Sequence, residues 1–349
     1  MLYRNIVLVF MICVASLAVP AVRSGPAHAE GPALPAPTGQ YAVGRTDTTV
    51  AAPDREVPVS VWYPAAEAGR PASYIPASRV NAAGIATRAA QWLYTPAAAG
   101  PMVTATVPAT LDATPAALPS LPVVVWSPGL GTPRWLASGL AGDLASRGYA
   151  VVALDHPGET PGAEASGRVL RGEMPSQDPA YLRTALAHRV EEVRLVLDGL
   201  GALPLVGDRL DTARVAVAGH SYGGQTAVSV AADDPRIRTA VVLDGSAGWD
   251  DVAEVPPMPH PVLLLASGNM VHASWTGTGA VIGTIAGAGH YTATDLPVFG
   301  GSEELCGRVD AAHAATLTRS VVAAWLDRHL LGGYSAMPED DPLLRWRVR

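Results

Sequence analysis

A serine held between glycines, Gly219-His220-Ser221-Tyr222-Gly223, is the first feature of this sequence that could do chemistry. A serine hydroxyl is a poor nucleophile at neutral pH. It needs a base in hydrogen-bond reach, and the base needs a third group to fix its tautomer. The pentapeptide alone is a weak signal. With Gly at 35 of 349 residues, G-x-S-x-G arises by chance roughly 0.2 times in a chain of this length. Its setting is stronger. Residues 215–218 (VAVA) read as a short buried strand, and residues 225–232 read as a helix free of Pro and Gly. Strand, tight glycine turn and helix together make a nucleophile elbow, in which side chains flanking the serine would crowd the strand and the helix.

Beyond residue 29, His156, His188, His220, His260, His272, His290, His313 and His329 are available as the base. His220 adjoins the serine, but its side chain is expected to point away. His188, His313 and His329 fall on or near helices. His272 is a rival in a loop. His156 follows a strand but precedes the serine, whereas in this arrangement the chain order is Ser, acid, His. His290 fits that order, in the glycine loop Ala286-Gly287-Ala288-Gly289-His290. For the acid, Asp244 ends the strand RTAVVLD, 23 residues past Ser221. The strand after it, PVLLLAS, leads only to Asn269, and Asp295 breaks the order. A developing oxyanion needs two amide donors. These are expected from Tyr222, just past the serine, and Leu130, in the glycine-rich loop 127–132 (SPGLGT).

Other chemistries lack their residues. There is no lysine, so no Schiff-base or pyridoxal chemistry on this chain. No H-E-x-x-H, paired cysteines, carboxylate cluster or P-loop lysine is present, and neither metal nor cofactor is expected. A net charge of −7 without a basic cluster argues against a nucleic-acid partner. No obligate protein partner is evident. Cys306 has no cysteine to pair with beyond Cys13, which lies in the leader.

The elements that must position these residues form a rhythm. Strands are read at 57–63, 121–127, 149–155, 215–218, 238–244, 261–267 and 281–285. Helices are read at 134–147, 179–198, 225–232 and 316–331, the one at 179–198 amphipathic with its charges on one side. Apolar strands alternating with helices imply a mainly parallel sheet covered on both faces, with reactive groups at the strands' carboxyl ends. Residues 1–29 read as a secretory signal peptide, with Arg4, an apolar run and the site Ala27-His28-Ala29. Residues 30–40 read as a Pro/Gly linker to one domain spanning 41–349. Within it, residues 64–120 read as an Ala/Pro-rich insertion lying over the domain as a lid, with 79–94 helical.

The segments VPVSVWYP, PVVVWSPGLG, LASRGYAVVALDHPG, RVAVAGHSYGG, VVLDG and GAGHYTATDLP resemble the intracellular type II and plasma platelet-activating-factor acetylhydrolases and their secreted bacterial relatives. The resemblance implies an α/β-hydrolase fold, a triad of Ser221, Asp244 and His290, and oxyanion donors at Leu130 and Tyr222. It also implies calcium-independent hydrolysis of short or oxidised acyl esters, with transient contact at a lipid surface. Pro128 stands where the animal enzymes carry a histidine, and residues 64–120 match poorly. Two alternatives remain: a cutinase, polyester hydrolase or lipase on the same fold, and a binding protein that keeps the fold without turnover.

Overall fold

The computed structural model describes residues 32–248, 258–268, 271–333 and 335–348. The leader read at residues 1–29 and the rival acid position Asn269 lie outside them. Among the described residues there are thirteen strands: β1 (Ala42–Ala52), β2 (Arg55–Ala65), β3 (Pro71–Ser73), β4 (Thr106–Leu111), β5 (Leu121–Ser127), β6 (Ala150–Leu154), β7 (Ala163–Ala165), β8 (Arg168–Leu170), β9 (Leu210–His220), β10 (Ile237–Leu243), β11 (Val262–Ser267), β12 (Val281–Ile285) and β13 (Leu344–Val348). The helices are α1 (Arg79–Trp92), α2 (Ala99–Thr104), α3 (Ser138–Ser146), α4 (Pro179–Gly199), α5 (Tyr222–Asp233), α6 (Glu303–Cys306) and α7 (Ala311–Leu330).

Eleven strands form one sheet in the order β13-β12-β11-β10-β9-β5-β6-β2-β1-β4-β3. The six from β12 to β6 are parallel, and antiparallel pairs flank them, β13 on one side and β2 with β1 on the other. The parallel strands are buried on both faces, which is why they read as continuous apolar runs. Along β9, Ala216 and Ala218 face the layer of α3 and α7, while Val215 and Val217 face the layer of α4 and α5. In β10, Val241 and Leu243 alternate with Ala240 and Val242 in the same way. Register then aligns the strand ends: Ser127 pairs with Gly219, and His220 with Leu243. The loops after β5, β9 and β10 therefore emerge side by side on one edge. This is an α/β-hydrolase fold.

The segment read as a Pro/Gly linker docks on the domain over its described residues, 32–40. Leu34 is buried, Thr38 donates through its amide and hydroxyl to Asp143, and Arg319 donates to the Ala36 carbonyl at 3.0 Å. Short polar and proline-rich sequence hides such docking, because its partners lie more than 100 residues away. Residues 64–120, read as an insertion lying over the domain as a lid, pack into it. β3 and β4 extend the sheet, and α1 buries Ala82, Ile85, Ala86, Ala89 and Ala90. Arg88 on α1 donates to the Pro161 and Gly172 carbonyls, fixing the helix to the segment after β6.

Candidate active site

The turn after β9 places Ser221 at φ 54° and ψ −123°, a conformation that costs a non-glycine residue on the order of 1–3 kcal/mol. Its surroundings hold it there. The Ser221 amide donates to the Leu243 carbonyl at 2.9 Å, and the Ser221 carbonyl accepts from the Gly224 amide at 2.9 Å. The flanking glycines are steric requirements. A Cβ on Gly223 would strike the Ser127 and Pro128 carbonyl oxygens, and one on Gly219 would strike the Gly223 carbonyl.

The Ser221 hydroxyl lies 2.9 Å from Nε2 of His290, and Nδ1 of His290 lies 2.5 Å from Oδ2 of Asp244. The other carboxylate oxygen of Asp244 accepts the Ser267 amide at 2.7 Å. Burial pushes the Asp244 carboxyl up. The hydrogen bond and charge of His290, with the Ser267 amide, outweigh burial and hold it below the ordinary range. Asp244 is therefore a carboxylate at neutral pH. Asp295, the rival, has other partners: it is buried and accepts from the Tyr74 hydroxyl and the Gly139 amide.

His220 does point away from the hydroxyl, but it has a job. Its Nε2–H donates to the His290 carbonyl at 2.7 Å, and the two rings lie 4.7 Å apart. Burial, then the nearby His290 charge, pushes His220 down to about 3, so it stays neutral and props the His290 loop. His272 lines the cleft beside Ser221, with Nδ1 2.8 Å from the Ser274 hydroxyl. His313 pairs with Asp341 and His329 packs on Trp325, both on α7. The cleft beside Ser221 has a volume of about 250 Å³, with Leu264, Ala266 and Val271 as its apolar lining.

The loop expected to hold an oxyanion donor abuts the serine: a Cβ on Gly129 would sit 3.4 Å from that of Ser221. Leu130 packs with the Tyr222, Leu182 and Ala185 side chains. Tyr222 opens α5, where first-turn amides have no intrahelical acceptor.

Behind this loop lies a polar layer that sequence reasoning missed. His156 Nε2 contacts the Ser127 hydroxyl at 2.8 Å, and its Nδ1 contacts Glu192 at 2.6 Å. Burial, then the Arg189 charge, holds His156 well below its ordinary value, and burial pushes Glu192 up to about 8. Arg189 pairs with Glu159 and donates to the Pro128 and Gly129 carbonyls. The charged side read on the helix at 179–198 is therefore split, since Arg189 and Glu192 face inward. Their three-residue spacing on α4, opposite the His156-Pro157-Gly158-Glu159 turn, was the available signal.

Among the described residues, no group of three or more His, Cys, Asp or Glu could hold a metal ion. None of their helices is long and apolar enough to cross a membrane.

The sequence model of the family described as platelet-activating factor acetylhydrolase, isoform II, matches residues 27–175 and 186–330. A probable 1-alkyl-2-acetylglycerophosphocholine esterase of Arthroderma benhamiae is 32% identical over 134 residues, 38% of this chain and 33% of that protein. The platelet-activating factor acetylhydrolase of Canis lupus familiaris is 24% identical over 269 residues, 67% of this chain and 60% of that one. The matches thus span from about a third to three fifths of these curated relatives. A ferulic acid esterase from Streptomyces cinnamoneus superposes with a TM-score of 0.75 at 30% identity, over 90% of this chain and 99% of that one. The family match covers most of the chain, including the elbow and the loops that carry Asp244 and His290, and the chain belongs to the platelet-activating factor acetylhydrolase, isoform II, family.

Proposed function

We propose that this chain is a secreted serine hydrolase of short acyl carboxylic esters, phospholipid esters among them. The observation that carries the reading is the unbroken hydrogen-bonded chain from Ser221 through His290 to Asp244 at the cleft. His290 takes the Ser221 proton as Oγ attacks the ester carbonyl. Asp244 holds the Nδ1–H tautomer and stabilises the imidazolium. The Leu130 and Tyr222 amides receive the oxyanion. His290 then returns the proton to the leaving alcohol, and water releases the acyl group by the same steps. The relatives' names, an acetylglycerophosphocholine esterase and an acetylhydrolase, support an acetyl-sized acyl group. The modest cleft agrees with this. The leader read at residues 1–29 supports export, with a product starting near Glu30.

A second reading, an esterase for an aromatic acyl group, draws on the structural likeness to a ferulic acid esterase. One panel separates them: p-nitrophenyl esters from acetyl to palmitoyl, a 2-acetyl phospholipid, and methyl ferulate, each with and without EDTA. Acetyl to butyryl esters should turn over fastest, EDTA should change nothing, and Ser221→Ala should abolish turnover. Preference for methyl ferulate or long chains would sink the short-acyl reading. Retained activity in Ser221→Ala would sink the mechanism.

A further inference from the structure

The Gly129 carbonyl and the Leu130 N–H belong to one peptide unit. In a planar trans peptide they point in opposite directions. Whatever grips that carbonyl from behind therefore aims the amide in front. Three groups grip it: the Arg189 guanidinium at 3.2 Å, the Thr132 hydroxyl at 2.8 Å and the Thr132 amide at 3.1 Å. Arg189 also donates to the Pro128 carbonyl at 2.8 Å, so the preceding peptide is held in the same sense. The guanidinium is itself clamped, with Nε and one terminal nitrogen on the same Glu159 oxygen at 2.9 and 2.7 Å. Its charged carbon lies 5.1 Å from the centre of the Tyr222 ring. Tyr222 is in turn tied to α4 through its hydroxyl, which donates to the Leu182 carbonyl at 2.5 Å.

Arg189 is 1% exposed and Glu159 7%. A buried ion pair is poor value for stability alone, since well-packed apolar residues of the same volume do as well or better. This pair spends its donors on the oxyanion loop. A planar guanidinium spreads its donors over three nitrogens and so spans two successive carbonyls and a carboxylate together, whereas an ammonium's three donors diverge from a single nitrogen and carry no such fork. Charge-assisted bonding to a carbonyl also polarises the amide at the far end of the same peptide, making it a better donor.

We propose that Arg189, held by Glu159, is a positioning residue that aims and polarises the Leu130 amide and steadies Tyr222, so that one buried cation sets both oxyanion donors. This rests on the reading of Leu130 and Tyr222 as those donors. Arg189 touches no reacting atom and acts only through the loop and the ring.

The test compares p-nitrophenyl acetate with its thionoester, in which sulfur replaces the carbonyl oxygen. Sulfur is a weak hydrogen-bond acceptor, so the thionoester draws little from the oxyanion donors. In Arg189→Lys, kcat for the oxygen ester should fall about ten- to a hundredfold with KM nearly unchanged. The thionoester rate should fall much less, so the oxygen-to-sulfur rate ratio collapses. Glu159→Gln, which keeps the arginine but loosens its clamp, should lower the ratio in the same direction by less. A merely structural role lowers both rates together, or the melting temperature alone, and leaves the ratio intact. An unchanged ratio in folded Arg189→Lys overturns the proposal; if that variant does not fold, an unchanged ratio in Glu159→Gln does so. Activity surviving in Ser221→Ala would instead overturn the proposed function, a separate result.

Discussion

Asp244 sits at φ 49°, a left-handed conformation uncommon outside Gly, Asn and Asp. Held there, it offers one oxygen to the Ser267 amide and the other to His290. An asparagine would fit the same backbone. Its amide cannot supply the charge that stabilises an imidazolium, and it lets His290 adopt the wrong tautomer. Asp244→Asn should therefore keep the fold while kcat for p-nitrophenyl acetate drops by about 10³- to 10⁴-fold. Near-full activity in a folded Asp244→Asn enzyme would remove Asp244 from the mechanism. The hydrogen-bonded grouping of Ser221, Asp244 and His290 was legible because Ser221 and Asp244 follow strand ends, His290 follows in the next glycine loop but one, and glycines with a steric reason to be there flank them. The carbonyl contacts of His220 and Arg189 were not legible. His220 acts on a carbonyl 70 residues away, and Arg189 on carbonyls about 60 residues away. Neither contact leaves a local pattern.

At the scale of elements, the central strands and main helices were readable because burial on both faces writes continuous apolar runs. Of the flanking strands only β2 was, read at 57–63, and β1, β3, β4 and β13 were not. β1 carries Arg45, buried against the Ser73 carbonyl and Asp47, so its composition reads as polar surface. β13 (LRWRV) alternates arginine with apolar residues, as a half-covered edge does. Yet β13 matters to the site. It pairs antiparallel with β12, and the Leu343 carbonyl accepts the Ala286 amide at 2.8 Å, at the start of the loop that reaches His290. Leu344 is the buried anchor of this edge, 3% exposed. Leu344→Ala should lower the unfolding free energy by about 2–4 kcal/mol, read as a fall in the urea midpoint. An unchanged midpoint would mean that β13 is not part of the cooperative unit.

Across the whole molecule, carboxyls sealed in the interior give stability an unusual pH dependence. Burial pushes Asp295 from its ordinary 3.8 up to about 7, against the opposing pull of the Gly139 amide and Arg319. Between those values the folded chain holds a proton that the unfolded chain has released. The stability this group contributes is therefore full below about pH 4, is lost as pH rises toward 7, and is flat above. The stability difference between the parent and Asp295→Asn should fall across that window by up to about 1.4 kcal/mol per pH unit, measured by urea unfolding at fixed ionic strength. A difference independent of pH would place the Asp295 proton elsewhere. Glu192 belongs to the same class of sealed carboxyl, and its partners carry a different lesson. Ser127, His156 and Glu192 are linked in the same order as Ser221, His290 and Asp244, hydroxyl to imidazole to carboxyl, though burial raises the Glu192 carboxyl while His290 keeps Asp244 a carboxylate. A template that recognises hydrolases by the spacing of three side chains would return two answers in this chain. Ser127 and His156 are each 2% exposed, so no carbonyl carbon can be brought to that hydroxyl. The two constellations differ in one respect above all, the empty volume beside the oxygen, and that emptiness is a fourth member of the proposed catalytic set, contributed by what the sequence leaves out.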